Sequence, residues 1–486
     1  MTDKEIETLK AELKKNPVFN MSLSGKEIFH SNVLAWLLSE TDEKDEPTKT
    51  AKNLSEFFCP INKNNNEENK KEEKQKYRVL TVFREKNNFD LLIVYLPKED
   101  YKPFLEVRKN ATTKINIEDA TDEIIITKDE GKETAVINQM ELLKKCKFVV
   151  VENKFKAIPD ATQLERYYLN ICGYKQKQDG GWKSKLENIT FAKVNNARTD
   201  EEKRLKILVD ENNTTCYLLA PKKANDLFVS GAKIYKSTNT ETGTKIEVQW
   251  NLVSYDDMLE EIKPDNQNKV ILDGYKDFTE KMLKLSEDAV AIDVKTELYE
   301  FEKNVKSLKP IRIHDFYEKL RFSAIMNLIK EQFKNDSELE SRVGYSNGMG
   351  ILDFVYSFSK KSGNLGIPIP GKYGIQIQGK QLRIVVYPDK NYNWVEDKGK
   401  KKDKETQYVE IYTWLKEIYE QIKTDSDESF DYPGVEKLSK FDDFKYIKIT
   451  IKEHITIEVL GKKIKEVLGI MKDKEKDFNG DVKEKK

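Results

Sequence analysis

The chain contains 486 residues, a length that allows two or three domains with sizeable cores, and we expect two. Lysine plus arginine equal aspartate plus glutamate at 85 each, so the net charge gives no argument for a nucleic-acid partner, and any anion-binding surface must be a local patch. The four cysteines and three histidines lack the spacing of a zinc site. Because no apolar run is long enough for a signal peptide or a transmembrane helix, we expect a cytoplasmic protein without a membrane partner.

The first strong element is an apolar helix over residues 26–39. Its apolar side chains cover most of the circumference, which predicts that the helix is buried. Ser24 is a candidate N-cap, and Glu27 then occupies the third position of a capping box. Glu27, His30 and Ser31 fall at i, i+3 and i+4, so they share one face of this helix.

A β-hairpin is predicted next, after a polar loop over residues 62–76. Strands over 78–83 and 89–96 are separated by a short turn, so we expect antiparallel pairing. Asp90 is predicted to lie within the second strand, as a functional carboxylate or as an edge-strand charge that prevents sheet-to-sheet pairing. Residues 97–145 are mostly polar and are predicted to be an insertion that carries an extra hairpin outside the main sheet.

An acid and a base share one face of the next predicted strand, residues 148–155. Alternation along a strand places Glu152 and Lys154 side by side, directly after a run of four apolar residues. Leaving either charge unpaired in an apolar sheet would cost several kcal/mol, so we expect a partner or a metal ion beside them. The open alternative is an ion pair at the solvated end of a sheet. A helix that carries Gln163 and Tyr167 is predicted to follow.

The remaining elements complete an αβββαβ order and then a different pattern. Strands over 214–220 and 245–253, with a helix after the second, predict an α/β domain with a mixed central sheet flanked by helices. From residue 309 onward, short strands and helices indicate an α+β accessory domain. The predicted domains are 1–265 (with the insertion 97–145), a helical linker 266–308, the accessory domain 309–471 and a charged, disordered tail 472–486.

Five residues of the first domain resemble the signature of the PD-(D/E)XK nuclease superfamily: Asp90, the Glu152-Asn153-Lys154 triplet and Gln163. The stretches GKEIFHSNVLAWLL, FDLLIVY, VVVENK and QLERYY are similar to a prokaryotic branch known mostly as predicted nucleases. The resemblance spans about residues 20–265. It implies a restriction-endonuclease-like fold and metal-dependent hydrolysis of phosphodiester bonds, with DNA favoured over RNA as the substrate.

The resemblance also implies roles for these residues. One or two Mg²⁺ (or Mn²⁺) ions would be bound by Asp90, Glu152 and the backbone carbonyl of Asn153. These ions prefer hard oxygen ligands, and two carboxylates satisfy that preference. Lys154 would orient or deprotonate the attacking water, or stabilise charge in the transition state. Gln163 would support the site by hydrogen bonding.

A second set of residues has candidate roles with ordinary structural alternatives. Glu27 matches an additional metal ligand of some members, with the capping box as its alternative. Arg166, Tyr167, His30 and Ser31 are candidate substrate-binding residues, although packing explains them too, and for His30 packing is favoured. A homodimer and a role in defence against foreign DNA are further expectations from the superfamily.

Two alternatives compete with the interpretation of the first domain as a nuclease. The chain could retain the fold as a catalytically inactive module that binds nucleic acid or protein, or its activity could lie in the C-terminal domain. A literal copy of the motif also occurs over residues 388–398, but the sequence there has no apolar strand to fix its geometry, and we reject it.

Overall fold

The structure is a computed structural model of the chain. It describes residues 1–22, 27–42, 46–60, 76–84, 89–101, 123–126, 135–138, 145–155, 161–172, 174–176, 182–184, 213–229, 232–239, 245–263, 268–334, 336–346, 349–358, 371–387, 401–423, 428–435, 438–441 and 444–480. The chain divides into two compact units, one formed by residues 12–284 and the other by residues 1–11 and 285–486. Ser24, residues 62–75 of the predicted loop and the motif over 388–398 lie outside the described residues.

The unit of residues 12–284 is built around a six-stranded mixed sheet with the strand order β1-β2-β5-β8-β10-β9. Its strands are β1 Tyr77–Arg84, β2 Leu91–Pro97, β5 Lys147–Asn153, β8 Thr214–Ala220, β9 Ile234–Asn239 and β10 Ile246–Ser254. Two separate hairpins are formed by β3 Glu123–Ile126 with β4 Ala135–Asn138 and by β6 Tyr174–Gln176 with β7 Trp182–Ser184. The hairpin predicted inside the insertion is therefore confirmed.

Strand pairing explains the mixed character of this sheet. β1, β2 and β5 form an antiparallel meander, while β5, β8 and β10 are parallel neighbours, and β9 pairs antiparallel with β10. β2 pairs directly with β5, so the two strands are neighbours in the sheet although residues 98–146 separate them in the sequence. The core of β5 is buried on both faces because it lies between two neighbours and carries consecutive valines.

Helices lie on both faces of this sheet. The helices of the chain up to residue 290 are α1 Asp3–Lys15, α2 Pro17–Met21, α3 Glu27–Ser39, α4 Lys49–Phe57, α5 Ala161–Ile171, α6 Lys222–Phe228, α7 Tyr255–Glu261 and α8 Lys269–Val290, of which α1 and α8 cross the division between the two units. The face that carries Phe148 and Val150 packs against α5, which is fixed to β10 by a hydrogen bond from the Trp250 indole to the Leu164 carbonyl at 3.1 Å. The opposite face is contacted by α3 through the Asn153 side chain. The α/β prediction for this part of the chain is confirmed at the level of a mixed sheet between helices.

The second unit contains a seven-stranded antiparallel sheet in which six strands follow the order β11-β12-β13-β14-β17-β15 and β16 pairs with β17. Its elements are α9 Glu302–Leu308, α10 His314–Lys330, β11 Glu340–Ser346, β12 Met349–Ser357, β13 Lys372–Gln378, β14 Gln381–Tyr387, α11 Lys401–Ile422, β15 Phe430–Asp431, β16 Ser439–Phe441, β17 Phe444–Ile451 and α12 Ile457–Gly480. An antiparallel sheet with separate helices is the α+β pattern expected from the sequence.

Two details of the predicted domain organisation differ from the structure. The boundary between the units falls inside α8, at residue 284, so the predicted linker 266–308 is not a separate segment. The disordered tail predicted over 472–486 is wrong for residues 472–480, because α12 continues to Gly480. Met471 and Glu475 are buried on this helix, and their packing offsets the charged composition that had predicted disorder.

Candidate functional site

Glu152 and Lys154 form a buried ion pair at the end of β5. The Lys154 Nζ atom lies 2.7 Å from Glu152 Oε1, and the two side chains are only 9% and 3% exposed. Strand alternation predicted that they share a face, and this is confirmed. The run of valines before Glu152 places the pair at the end of a strand that is paired on both sides, so solvent reaches neither side chain freely.

Asp90 reaches the same strand end from the neighbouring strand. Its Oδ2 atom accepts a hydrogen bond from the backbone N–H of Asn153 at 2.6 Å. The prediction that Asp90 lies within a strand is wrong, because it occupies a bend directly before β2, which begins at Leu91. Since Leu91 pairs with Val151, a carboxylate one residue earlier lies beside the Glu152 end of β5 rather than between buried leucines.

Asn153 has its side chain on the opposite face, where it holds three elements together. Its Nδ2 atom donates to the Glu27 carbonyl at 2.9 Å and to Ser31 Oγ at 3.2 Å, and its Oδ1 atom accepts from the Tyr255 hydroxyl. These contacts join α3 and α7 to the strand that carries the ion pair. Because the amide group is used in this way, the hydrogen bond between Asn153 and Asp90 is made by the Asn153 backbone N–H, and the carbonyl ligand stays a prediction.

Sequence reasoning missed Tyr255, although a signal was present. Ser254 accepts from the Asp257 N–H at 3.0 Å and caps α7, which makes Tyr255 the first residue of a helix that begins directly after β10. A tyrosine in the first turn of a capped helix beside a core strand is placed to reach that strand's neighbours. Its burial is complete, so its hydroxyl needs a partner, which Asn153 supplies.

Gln163 extends the polar group toward α5. Its Nε2 atom donates to Glu152 Oε1 at 3.3 Å and to the Tyr167 hydroxyl at 2.8 Å. The hydrogen bond to Glu152 is a direct contact of the kind that the supporting role implied for Gln163 requires. Arg166 is exposed on the same helix, with its guanidinium carbon 5.6 Å from the centre of the Tyr167 ring, which leaves it accessible to a ligand.

The residues of α3 divide into one that faces the ion pair and two that do not. Glu27, half-buried at the first turn, acts electrostatically on both Glu152 and Lys154. His30 is completely buried, bonds the Tyr275 hydroxyl through Nδ1 at 3.0 Å, and stacks 3.8 Å from the Phe155 ring. The packing role favoured for His30 agrees with its burial, and the burial of both His30 and Ser31 argues against the substrate-binding roles suggested for them.

The cluster contains more carboxylates than positively charged groups. The pKa of Glu152 is raised from its ordinary 4.5 to about 8, mainly by burial, with smaller contributions from Asp90 and Glu27 and against the opposing attraction of Lys154. Burial alone would lower the pKa of Lys154, but the attraction of Glu152, Glu27 and Asp90 outweighs burial, and the pKa is raised. When every group is ionised, three carboxylates surround one ammonium, and the surplus is the charge that one divalent cation neutralises.

The donor set of the cluster fits a hard divalent cation. The Oε2 atom of Glu152 is buried and has no hydrogen-bond partner among the described residues, although a buried carboxylate oxygen normally has one. Together with Asp90 and the Asn153 carbonyl it offers oxygen ligands only, which suits Mg²⁺ or Mn²⁺. Within the described part of the chain, no group of three or more His, Cys, Asp or Glu side chains converges on a metal position, so the candidate set depends on the backbone oxygen.

None of the helices in the described ranges combines the length and apolar character needed to cross a lipid bilayer. Comparison of the chain with protein-family models, with curated proteins and with solved structures found no match. The interpretation of the site therefore depends on its residues, its topology and its electrostatics.

Proposed function

We propose that the unit of residues 12–284 is a metal-dependent nuclease of the PD-(D/E)XK type that hydrolyses phosphodiester bonds, with DNA as the favoured substrate. The observation that carries the proposal is the buried Glu152–Lys154 pair, which has Asp90 and Gln163 beside it and one carboxylate oxygen without a partner among the described residues. A purely structural ion pair needs neither the additional carboxylates nor the unbonded oxygen.

The topology supports the same proposal. A helix, an antiparallel meander of three strands, a second helix and a parallel fourth strand follow one another as α3, β1-β2-β5, α5 and β8. This is the αβββαβ order predicted from the sequence pattern, and it supports the proposal of a restriction-endonuclease-like core. The candidate residues lie at the end of its central strand and on the two elements next to it.

Each side chain has a task in such a reaction. Asp90 and Glu152 would hold the ion, which when bound supplies an activated water and neutralises charge on the phosphate. Lys154, kept protonated by the surrounding carboxylates, would hold an oxygen of the phosphate or of the attacking water in place. Gln163 fixes the Glu152 carboxylate through its hydrogen bond to Oε1, and Tyr167 in turn orients the Gln163 amide.

Cleavage of labelled DNA and RNA in Mg²⁺ or Mn²⁺ tests the proposal. Asp90→Asn and Lys154→Met keep the size of each side chain but remove its charge, and we expect each to reduce the cleavage rate at least about 100-fold. Lys147→Met is the matched control, because it makes the same change at the other end of β5 and should leave the rate unchanged.

Two other experimental results would count against this proposal. Cleavage that survives both Asp90→Asn and Lys154→Met would refute the assignment of these residues. A protein that binds nucleic acid without cleaving it would favour the inactive module that retains the fold. The one or two Mg²⁺ ions, the homodimer and the defence role stay predictions from the superfamily resemblance.

A further inference from the structure

A row of polar side chains crosses the sheet of the C-terminal unit. Five residues on five adjacent strands lie directly opposite one another in register, and we call them the polar row: Arg342, Asp353, Gln376, Arg383 and Lys448. Neither the sequence pattern nor the proposed nuclease site accounts for them. The row crosses five of the seven strands, and its central members Asp353 and Gln376 are buried.

The polar row lies on the face of the sheet opposite the hydrophobic core. Residues of the alternate parity, such as Phe354 and Tyr373, face the core, where their rings lie 6.3 Å from Phe333 and 5.7 Å from Trp414 of α11. Since side chains alternate along a strand, the polar row faces the other way. The ends of the row are accessible to solvent: the Arg342 side chain is 75% exposed, and Lys448 is exposed.

The single carboxylate in the row is fully engaged. Asp353 is buried, and its Oδ2 atom accepts from Arg342 Nε at 2.6 Å. Its Oδ1 atom accepts from Gln376 Nε2 and from the Tyr387 hydroxyl, each at 3.0 Å. Asp353 therefore neutralises Arg342 and makes no direct contact with the next cation along the row, Arg383.

Arg383 is held by neutral groups only. Its Nη1 atom donates to Gln376 Oε1 at 2.8 Å, while Nε and Nη2 donate to Gln381 Oε1 at 3.1 and 2.9 Å. The guanidinium carbon lies 4.9 Å from the centre of the Tyr446 ring. Of the five N–H groups of an arginine, two therefore have no partner in the described part of the chain, one on each Nη atom. The guanidinium is fixed in position, and its charge meets no carboxylate in these contacts.

Lys448 adds a second positive charge directly beside Arg383. The two residues are paired in register on β14 and β17, and no ion pair of Lys448 occurs among the described residues. The carboxylate of the outer neighbouring strand, Asp431, lies opposite Thr450 and pairs with Lys452 at 3.3 Å. Like charges directly opposite each other on adjacent strands destabilise a sheet. An anion bound between them would convert this repulsion into attraction.

We propose that Arg383 and Lys448 form a phosphate-binding site for single-stranded nucleic acid, separate from the cluster around Glu152. A guanidinium with two available N–H groups matches the oxygens of a phosphodiester, and a neighbouring lysine suits the next phosphate. Arg383 and Tyr446 also offer planar surfaces for bases. A sheet face with these groups in line fits an extended single strand. The choice of nucleic acid as ligand rests on the proposed nuclease function.

Binding of a fluorescently labelled 20-nucleotide oligo(dT) to the full chain in EDTA tests this site without cleavage. Because each lost charged hydrogen bond is worth more than about 1.4 kcal/mol, Arg383→Gln and Lys448→Gln should each weaken binding by about tenfold. The double variant should also reduce the slope of log affinity against log salt by about 1.4, the value for two phosphate contacts on a single strand. Lys448→Gln alters an exposed side chain, so its result does not depend on the folding of the Arg383 variant.

Lys462→Gln on α12 is the matched control, since it removes the same charge from an exposed lysine and should leave affinity unchanged. Wild-type affinity and salt slope in the Arg383→Gln/Lys448→Gln protein would overturn the proposal. Tighter binding of a 20-base-pair duplex would overturn the choice of a single strand as the ligand. Equal binding of polyglutamate, with the same sensitivity to Arg383→Gln, would overturn the choice of nucleic acid. Oligo(dT) binding in EDTA is measured without cleavage. Failure of the nuclease assignment, seen as cleavage that survives both Asp90→Asn and Lys154→Met, can therefore be distinguished from failure of this one.

Discussion

Replacing Glu152 by glutamine should change how the stability of the protein depends on pH. The pKa of Glu152 is raised from 4.5 to about 8, first by burial and then by Asp90 and Glu27. Between these values the folded protein holds a proton that the unfolded chain has released, so the free energy of unfolding falls as pH rises. The glutamine side chain of the Glu152→Gln variant cannot titrate, yet it keeps an Oε1 acceptor for Lys154 and Gln163.

The size of this change in stability with pH is set by the single proton that Glu152 holds in the folded protein. A difference of one bound proton changes the free energy of unfolding by about 1.4 kcal/mol per pH unit, so this group should cost the wild type roughly 3 kcal/mol between pH 5.5 and 7.5. Urea unfolding followed by tryptophan fluorescence measures it. Replacing Trp394 and Trp414, which follow residue 285, by phenylalanine makes the signal report the unit that contains the buried Trp250.

The comparison that matters is the difference between the two pH profiles. The wild type should lose stability relative to Glu152→Gln across this range, while the exposed control Glu260→Gln should follow the wild type. Saturating Mg²⁺ should remove the difference in slope, because a bound cation displaces the proton from Glu152. Parallel profiles for wild type and Glu152→Gln without metal would refute the reasoning, since Glu152 would then be ionised throughout.

Two further predictions concern the same site. Mg²⁺ affinity, measured by calorimetry, should rise up to about tenfold per pH unit below pH 8 and level off above it, because Glu152 must lose its proton to bind the ion. A Mg²⁺ affinity that does not change between pH 6 and 8 would contradict this prediction. Tyr255→Phe should lower the free energy of unfolding by about 1–3 kcal/mol and also weaken Mg²⁺ binding, because Asn153 loses a buried partner. The control is Tyr217→Phe, which removes a hydroxyl bonded to the Cys59 carbonyl at 2.8 Å. It should lower the free energy of unfolding by a similar amount and leave Mg²⁺ affinity unchanged. Equal Mg²⁺ affinity in both variants would oppose the proposed role of Asn153.

Strand periodicity was sufficient to predict the centre of the site. The apolar run before Glu152 identified a strand buried on both faces, and alternation then placed Glu152 and Lys154 together, as the 2.7 Å contact confirms. The extra hairpin of the insertion was also predictable, because two short apolar runs stand out in a polar stretch. These signals are local, since each depends on residues a few positions apart.

Features that depend on distant segments were harder to predict. Asp90 was expected inside a strand, but its position in a bend is set by the register between β2 and β5, which no local pattern encodes. His30 looked like part of a functional face because it shares a helix face with Glu27. Its burial against Phe155, Tyr275 and Phe278 comes from residues more than 100 positions away in the sequence.

The polar row illustrates the same limit in the C-terminal unit. Arg342, Asp353, Gln376, Arg383 and Lys448 are individually unremarkable in so charged a sequence. Only the strand order and register bring them into one line, and only the side-chain contacts show which charge is neutralised. Local charge runs therefore could not have identified this surface.

The central claim is that Asp90, Glu152 and the Asn153 carbonyl bind a divalent cation at the end of β5. Anomalous diffraction from crystals soaked in Mn²⁺ tests it most directly. We expect one strong peak about 2.1 Å from all three oxygen ligands in the wild type and no peak in Asp90→Asn. A Mn²⁺ peak elsewhere, or an empty site in which Asp90 still accepts from the Asn153 N–H while Glu152 remains bonded to Lys154, would contradict the account.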